Sequence, residues 1–172
     1  MTDSTAGQLP TAPPANRRFL LVNLAACLAL LAQFLLGMVA NLYVTIPVHH
    51  PGAKAGNFFG GVASAVGWAI PDGPVWLALH MSLGFALVVA GLANCLWAPA
   101  MRRRTYTALT VLAALAIIGA AFNGLSFVNY GHDFSSMIMS GLWALALACY
   151  LVCLYLAASR QLRVGLLGEA TR

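Results

Sequence analysis

The chain has 172 residues, 61% of them apolar and 8% charged, with nine Lys and Arg against four Asp and Glu. Soluble domains of this size carry about 25% charged residues, so the composition excludes an ordinary water-soluble globule. The net charge of +5 does not imply nucleic acid as a partner, because the arginines flank apolar runs instead of forming one basic face.

Residues 1–16, rich in Pro, Thr and Ser and without apolar periodicity, read as a disordered cytoplasmic tail. The first apolar run, Phe19 to Ile46, is 28 residues long. That is too long for the roughly 7–15-residue core of a secretory signal, and it is expected to be retained as a span. Three further runs follow, Val75 to Trp97, Tyr106 to Val128 and Phe134 to Ala157. Each exceeds the roughly 20 residues with which a helix crosses about 30 Å of hydrocarbon, and none contains Asp, Glu, Lys, Arg or Pro. Helices satisfy every backbone polar group internally, so the expected fold is all-α: an antiparallel bundle of four transmembrane helices.

Arg17 and Arg18 precede the first span, Arg102 to Arg104 join the second to the third, and Arg160, Arg163 and Arg172 follow the fourth. Only Lys54 lies in the other two connections. Cytoplasmic loops retain basic residues, so both termini and the Arg102 loop are expected inside, with residues 160–172 as a second cytoplasmic tail. An Arg excess over Lys of eight to one, with abundant Ala, suits a GC-rich bacterial genome and hence a bacterial inner membrane.

The outer connection from Pro47 to Pro74 is itself apolar between Asn57 and Ile70, too short to span and suited to a short interfacial or re-entrant helix. Asp72, ahead of Pro74, is expected to cap the second span, and Asp133 the fourth. Gly37, Gly84, Gly91, Gly119, Gly124 and Gly141 allow close helix approach, while Asn23, Gln33, Asn41, Asn94 and Asn123 are expected to hydrogen-bond across helices.

The absence of Asp, Glu, Lys and Arg from all four spans removes the commonest mark of a proton-coupled transporter. No P-loop, G-x-G-x-x-G, G-x-S-x-G, H-E-x-x-H or C-x-x-C motif assigns an enzymatic activity, and a non-enzymatic role is the simpler expectation. Histidine remains. His49 and His50 follow the first span, His80 lies inside the second, and His132 precedes the fourth, all on the outer side. An imidazole within hydrocarbon needs a partner, a ligand or water, and it is a frequent ligand of metals and haem iron. A structural alternative pairs His80 with Asn41 or Asn123. Met38, Met81, Met137 and Met139 share the outer half, so His80, His132 and Met81 could also suit copper. Cys27, Cys95, Cys149 and Cys153 fall in the inner half, where no disulfide is expected.

With His80 in the second span and His132 near the fourth, beneath an outer loop, the chain resembles one half of a haem A synthase and, more broadly, a four-helix membrane b-type cytochrome. The segment from Gln33 to Pro51 also looks like that of uncharacterised small bacterial membrane proteins. The cytochrome resemblance implies haem b held by His80 and His132, with His49 or His50 as substitutes. In this sequence His132 stands before the fourth run, and Leu77 and Val75 occupy the turn before His80 where that family has an acid. Three functions are thus expected: haem or metal binding for electron transfer or sensing, an accessory or scaffold subunit within a membrane complex or homo-oligomer, or copper or small-solute handling. The lipid bilayer is a partner in each.

Overall fold

The computed structural model describes residues 14–170, with side chains from Arg17 to Arg160. The expected tail at residues 1–16 lies almost wholly outside this range. Among the described residues all regular structure is helical: α1 Pro14–Tyr43, α2 Phe58–Ala69, α3 Val75–Trp97, a 3-10 turn Ala98–Met101, α4 Arg104–Tyr130 and α5 Asp133–Ala170. Four of these, α1, α3, α4 and α5, are long and apolar enough to cross a membrane, and the protein is a multi-pass membrane protein.

The four long helices form a ring. α1 packs on α3 and α5, and α4 packs on the same two, so α1 and α4 face each other across a diagonal without close backbone approach. Short connections enforce the antiparallel order of α3, α4 and α5. At one end, here the arginine end, Arg17, Arg18, Arg102–Arg104 and Arg160 collect; the opposite, loop end carries α2 and the Gly131–His132 turn.

Local chemistry sets the helix limits. α1 stops at Tyr43, three residues short of the expected Ile46, because Pro47 disfavours helical backbone at Ile46 and the β-branched Val44, Thr45 and Ile46 resist continuation. α3 opens on Pro74 with no side-chain cap, so Asp72 does not take the capping role expected of it. Asp133 likewise enters the first turn of α5, where its charge suits the helix dipole. Gly131, at φ 70°, ends α4 and returns its N–H to the Phe127 carbonyl at 2.8 Å. With no proline after Ala157, α5 runs on to Ala170 through much of the expected tail.

α2 is the short apolar helix expected in the long connection. Asn57 caps it, its Oδ1 accepting from Phe59 N at 3.1 Å and Gly60 N at 3.4 Å. Its inward stripe of Gly61, Ala65 and Ala69, spaced one turn apart, lies against α4 and α3. Gly52, at φ +88°, passes so near that an added Cβ would strike the Gly61 carbonyl oxygen.

Two buried clusters fill the arginine end and the middle of the bundle, and a third, of Ala65, Ala69, Leu77, Met81 and Val128, seats α2 at the loop end. Phe19, Ala98, Tyr106, Cys153 and Ala157 form one buried cluster, with Phe19 and Tyr106 rings 5.0 Å apart. Next to it lies a second cluster built from Cys27, Leu87, Ala113, Ala116, Ala146, Cys149 and Tyr150. Alanines with no exposed surface at Ala113 and Ala146 let α4 and α5 approach closely, the membrane counterpart of interdigitated packing. The cysteines are free thiols.

Candidate functional site: a cavity at the loop end

Above that core the four helices separate around a cavity of about 630 Å³, lined by α1, α3, α4, α5 and the Pro47–Lys54 loop. Its size falls within the roughly 300–1,000 Å³ typical of small-molecule sites. The floor is aromatic: Phe34 and Trp143 stack at 4.6 Å and 24°, and Trp143 Nε1 donates to the Leu30 carbonyl at 2.7 Å. Phe34, Met38 and Asn41 of α1 and Ser140 of α5 line the cavity and are also exposed, so it opens sideways along the α1–α5 seam. Among its lining residues only Lys54, at the rim, carries a permanent charge.

His80 sits in the α3 wall, partnered by Gln33 of α1 instead of Asn41 or Asn123. Gln33 Nε2 donates to the His80 carbonyl at 3.0 Å and stands 3.3 Å from His80 Nε2. The glycines make this pairing reciprocal: a Cβ on Gly37 would stand 2.9 Å from His80 Cε1, and one on Gly84 3.1 Å from Gln33 Nε2. Gly84 therefore makes room for Gln33, one turn along α3 from His80, while Gly37 makes room for the imidazole. Because Gln33 Nε2 can only donate, His80 Nε2 must accept, which assigns the proton to Nδ1. That Nδ1–H, Gln33 Oε1, and both amide atoms of Asn129 are buried without hydrogen-bond partners. Asn129 also lines the cavity and is 2% exposed.

The other histidines are placed differently. His50 shares the cavity wall, with its ring nitrogens 3.0 Å from the Pro51 carbonyl and 3.1 Å from the Val128 carbonyl and its ring stacked 4.8 Å from Trp68. Together with Lys54 N donating to Asn129 O at 2.9 Å and Tyr130 Oη donating to Ala55 O at 3.3 Å, it stitches the long loop over the end of α4. His49 is exposed, and His132, also exposed, stacks 6.1 Å from Tyr130; neither lines the cavity. Met81 is buried on the wall, and Met38 and Met139 line it too, whereas Met137 is 63% exposed. The structure thus brings together His80, His50 and Met81 and leaves His132 and His49 apart.

Iron or copper would need a ring lone pair facing open space. In the tautomer set by Gln33, His80 has its lone pair only on Nε2, which Gln33 occupies, and His132 is not across the cavity from it. The residues as arranged do not fit the paired axial ligands implied by the cytochrome resemblance. Among the described residues no group of three or more His, Cys, Asp or Glu could hold a metal ion.

The residues unforeseen as site members are Asn129, Tyr130 and Trp143. Asn129 lies one residue beyond the apolar run that ends at Val128. Of the five polar residues expected to link helices, Gln33 does so, whereas Asn23 and Asn123 donate to carbonyls one turn back on their own helices, Phe19 O and Gly119 O, each at 2.8 Å. No protein-family model matches the chain, and neither does any curated protein or solved structure.

Proposed function

We propose that this protein is a non-enzymatic membrane binding protein, the small-solute reading, which takes a small and mainly apolar molecule with an uncharged polar head into the loop-end cavity. The observation that carries the reading is one cavity reached by all four spanning helices, mainly apolar in its lining, with Gln33, Asn41, Ser140 and His80 among the uncharged polar residues on its wall. In this reading the arginine end faces the cytoplasm of a bacterium, as positively charged connections do, and the cavity opens toward the outer leaflet.

The test is extraction and mass spectrometry of small molecules co-purifying with the full-length protein, wild type against Ala121→Phe, which fills the cavity from α4. The expected result is a molecule enriched with wild type and lost with the variant. Equal recovery from both overturns the reading.

A second reading, haem b or copper bound through His80, draws support from the position of that imidazole on the wall beside the thioethers of Met38, Met81 and Met139. It requires Gln33 to release Nε2. A Soret band or stoichiometric copper that is lost in His80→Ala and strengthened in Gln33→Ala supports it; a colourless, metal-free protein after expression with haem and copper supplied overturns it and leaves a scaffold role if the cavity proves empty as well.

A further inference from the structure

We infer that the ligand of this cavity is a single-chain neutral lipid of the monoacylglycerol class, its hydroxylated head held in the α1–α5 seam by Asn41 and Ser136, an inference that rests on the small-molecule reading above. The stacked rings of Phe34 on α1 and Trp143 on α5 set the register of these antiparallel helices. Asn41 lies seven residues outward from Phe34, and Ser136 seven residues outward from Trp143. Seven residues make two turns, about 10 Å, so each polar residue shares the helix face of its aromatic and the two flank the seam at one depth. Both line the cavity, and between them and the aromatic floor run Gly37 and Met38 of α1 and Met139 and Ser140 of α5. Asn41 is exposed and Ser136 half-buried, and among the described residues no hydrogen bond uses either side chain.

Depth and charge select the head. Asn41 stands two residues before α1 ends at Tyr43, and Ser136 three residues after α5 begins at Asp133, the headgroup level of a spanning helix. A lipid therefore enters sideways at its own depth, with its head beside these side chains and its chain toward Phe34 and Trp143. The lining residues of α1 and α5 are uncharged, and Lys54 is tied through its N–H to the Asn129 carbonyl near the end of α4, the helix diagonal to α1. Asp133, one turn from Ser136, would repel an anionic head. Hydroxyls, which both donate and accept, match an amide and a serine without calling for a cation.

Size selects the tail. A dry apolar cavity of about 150 Å³ holds one benzene, six carbons, so the cavity here, about 630 Å³, takes roughly 25 non-hydrogen atoms. On that scale it fits one chain of about 18 carbons on glycerol, and about half of a two-chain phospholipid. Leu30, Leu87, Ile117 and Ala121 extend the apolar wall beside the aromatic floor, and the flexible thioethers of Met38 and Met139 adapt to a bent chain. The chain gains no transfer free energy on leaving bilayer hydrocarbon. What favours it is contact with a lining that would otherwise face a void, together with the hydrogen bonds of the head.

The test places the full chain in nanodiscs of dioleoylphosphatidylcholine, so that a two-chain lipid competes throughout, and adds monooleoylglycerol, oleoyl lysophosphatidylglycerol or dioleoylglycerol. Expected is a rise in melting temperature with monooleoylglycerol alone. An equal rise with the lysophospholipid overturns the neutral head, and an equal rise with dioleoylglycerol overturns the single chain. Asn41→Leu should weaken monooleoylglycerol binding roughly tenfold, the worth of one hydrogen bond, and Asn41→Gln should restore most of it. Ser136→Ala serves if Asn41→Leu fails to fold, and unchanged affinity in the variant measured overturns the seam placement. Ala121→Phe, which leaves both head partners in place, abolishes the response; a response that persists there overturns entry into the cavity. If monooleoylglycerol shifts nothing, and a different molecule co-purifies and is lost in Ala121→Phe, the lipid assignment falls and the cavity reading stands. If no molecule co-purifies and no probe shifts the melt, both fall.

Discussion

The two ends of the bundle are built from similar amounts of apolar chain and do opposite things with it. Toward the arginine end, Ala113, Ala146, Cys153 and Ala157 have no exposed surface, and Tyr150 at 1% is the largest fully buried side chain. Toward the loop end, the same four helices part around a cavity, and Gly37 and Gly84 abut polar side chains. Gly91 would place a Cβ 3.3 Å from Ile117 Cδ1, whereas Gly37 and Gly84 accommodate His80 and Gln33. Stability and a binding site are thus allocated to different depths of one bundle, because close packing leaves no room for a ligand and a cavity forfeits the contacts that hold helices together.

The comparison breaks most readily at Tyr150. Truncation in Tyr150→Ala is expected to cost about 3–5 kcal/mol, as loss of a buried aromatic ring does, read by SDS-titration unfolding in bicelles. A loss below about 1 kcal/mol would mean that the arginine end is not the stabilising half. The paired substitutions Ala146→Leu and Ala121→Leu sharpen the contrast: overfilling the α4–α5 contact costs about 1–3 kcal/mol, while the cavity wall accepts the larger side chain for less than about 1 kcal/mol in the same assay. Gly37→Ala displaces the His80 ring, whose Cε1 would lie 2.9 Å from the new Cβ, and is expected to cost about 1 kcal/mol. The histidine imidazole resonances should shift in NMR spectra of that variant and stay unmoved in Gly141→Ala, whose Cβ meets nothing. Smallest is Arg160→Ala. It removes a guanidinium 5.9 Å from the Tyr106 ring, and the unfolding midpoint should move by the equivalent of no more than about 1 kcal/mol.

The histidine in a spanning run was legible because hydrocarbon makes a lone imidazole costly wherever it falls, so His80 stood out without any structure. Its partner was not legible. Gln33 lies 47 residues away and looked no different from Asn23, Asn41, Asn94 or Asn123. Helix periodicity says which residues share a face, and not which face meets which neighbour. The expected pairing with His132 failed for a related reason: that ring sits at the head of α5 beside Tyr130, outside the cavity, although sequence position put it at the same end as His80. Asn129 carries no such mark in the sequence, because it follows the last apolar residue of its run, where a polar residue reads as ordinary loop.

Hydrophobic run length and the scarcity of charge determined four spanning helices, their antiparallel order and the segregation of arginine to one end, since the penalty for burying charge in lipid acts on each residue individually. A short apolar helix in the long connection followed from the same rule. Tertiary structure alone decided that α1 and α4 face each other across the ring, that Gly37 and Gly84 set His80 against Gln33, and that the helices part above Phe34 and Trp143 to leave a cavity. Those outcomes depend on how four surfaces fit together at once, a property that no single helix encodes.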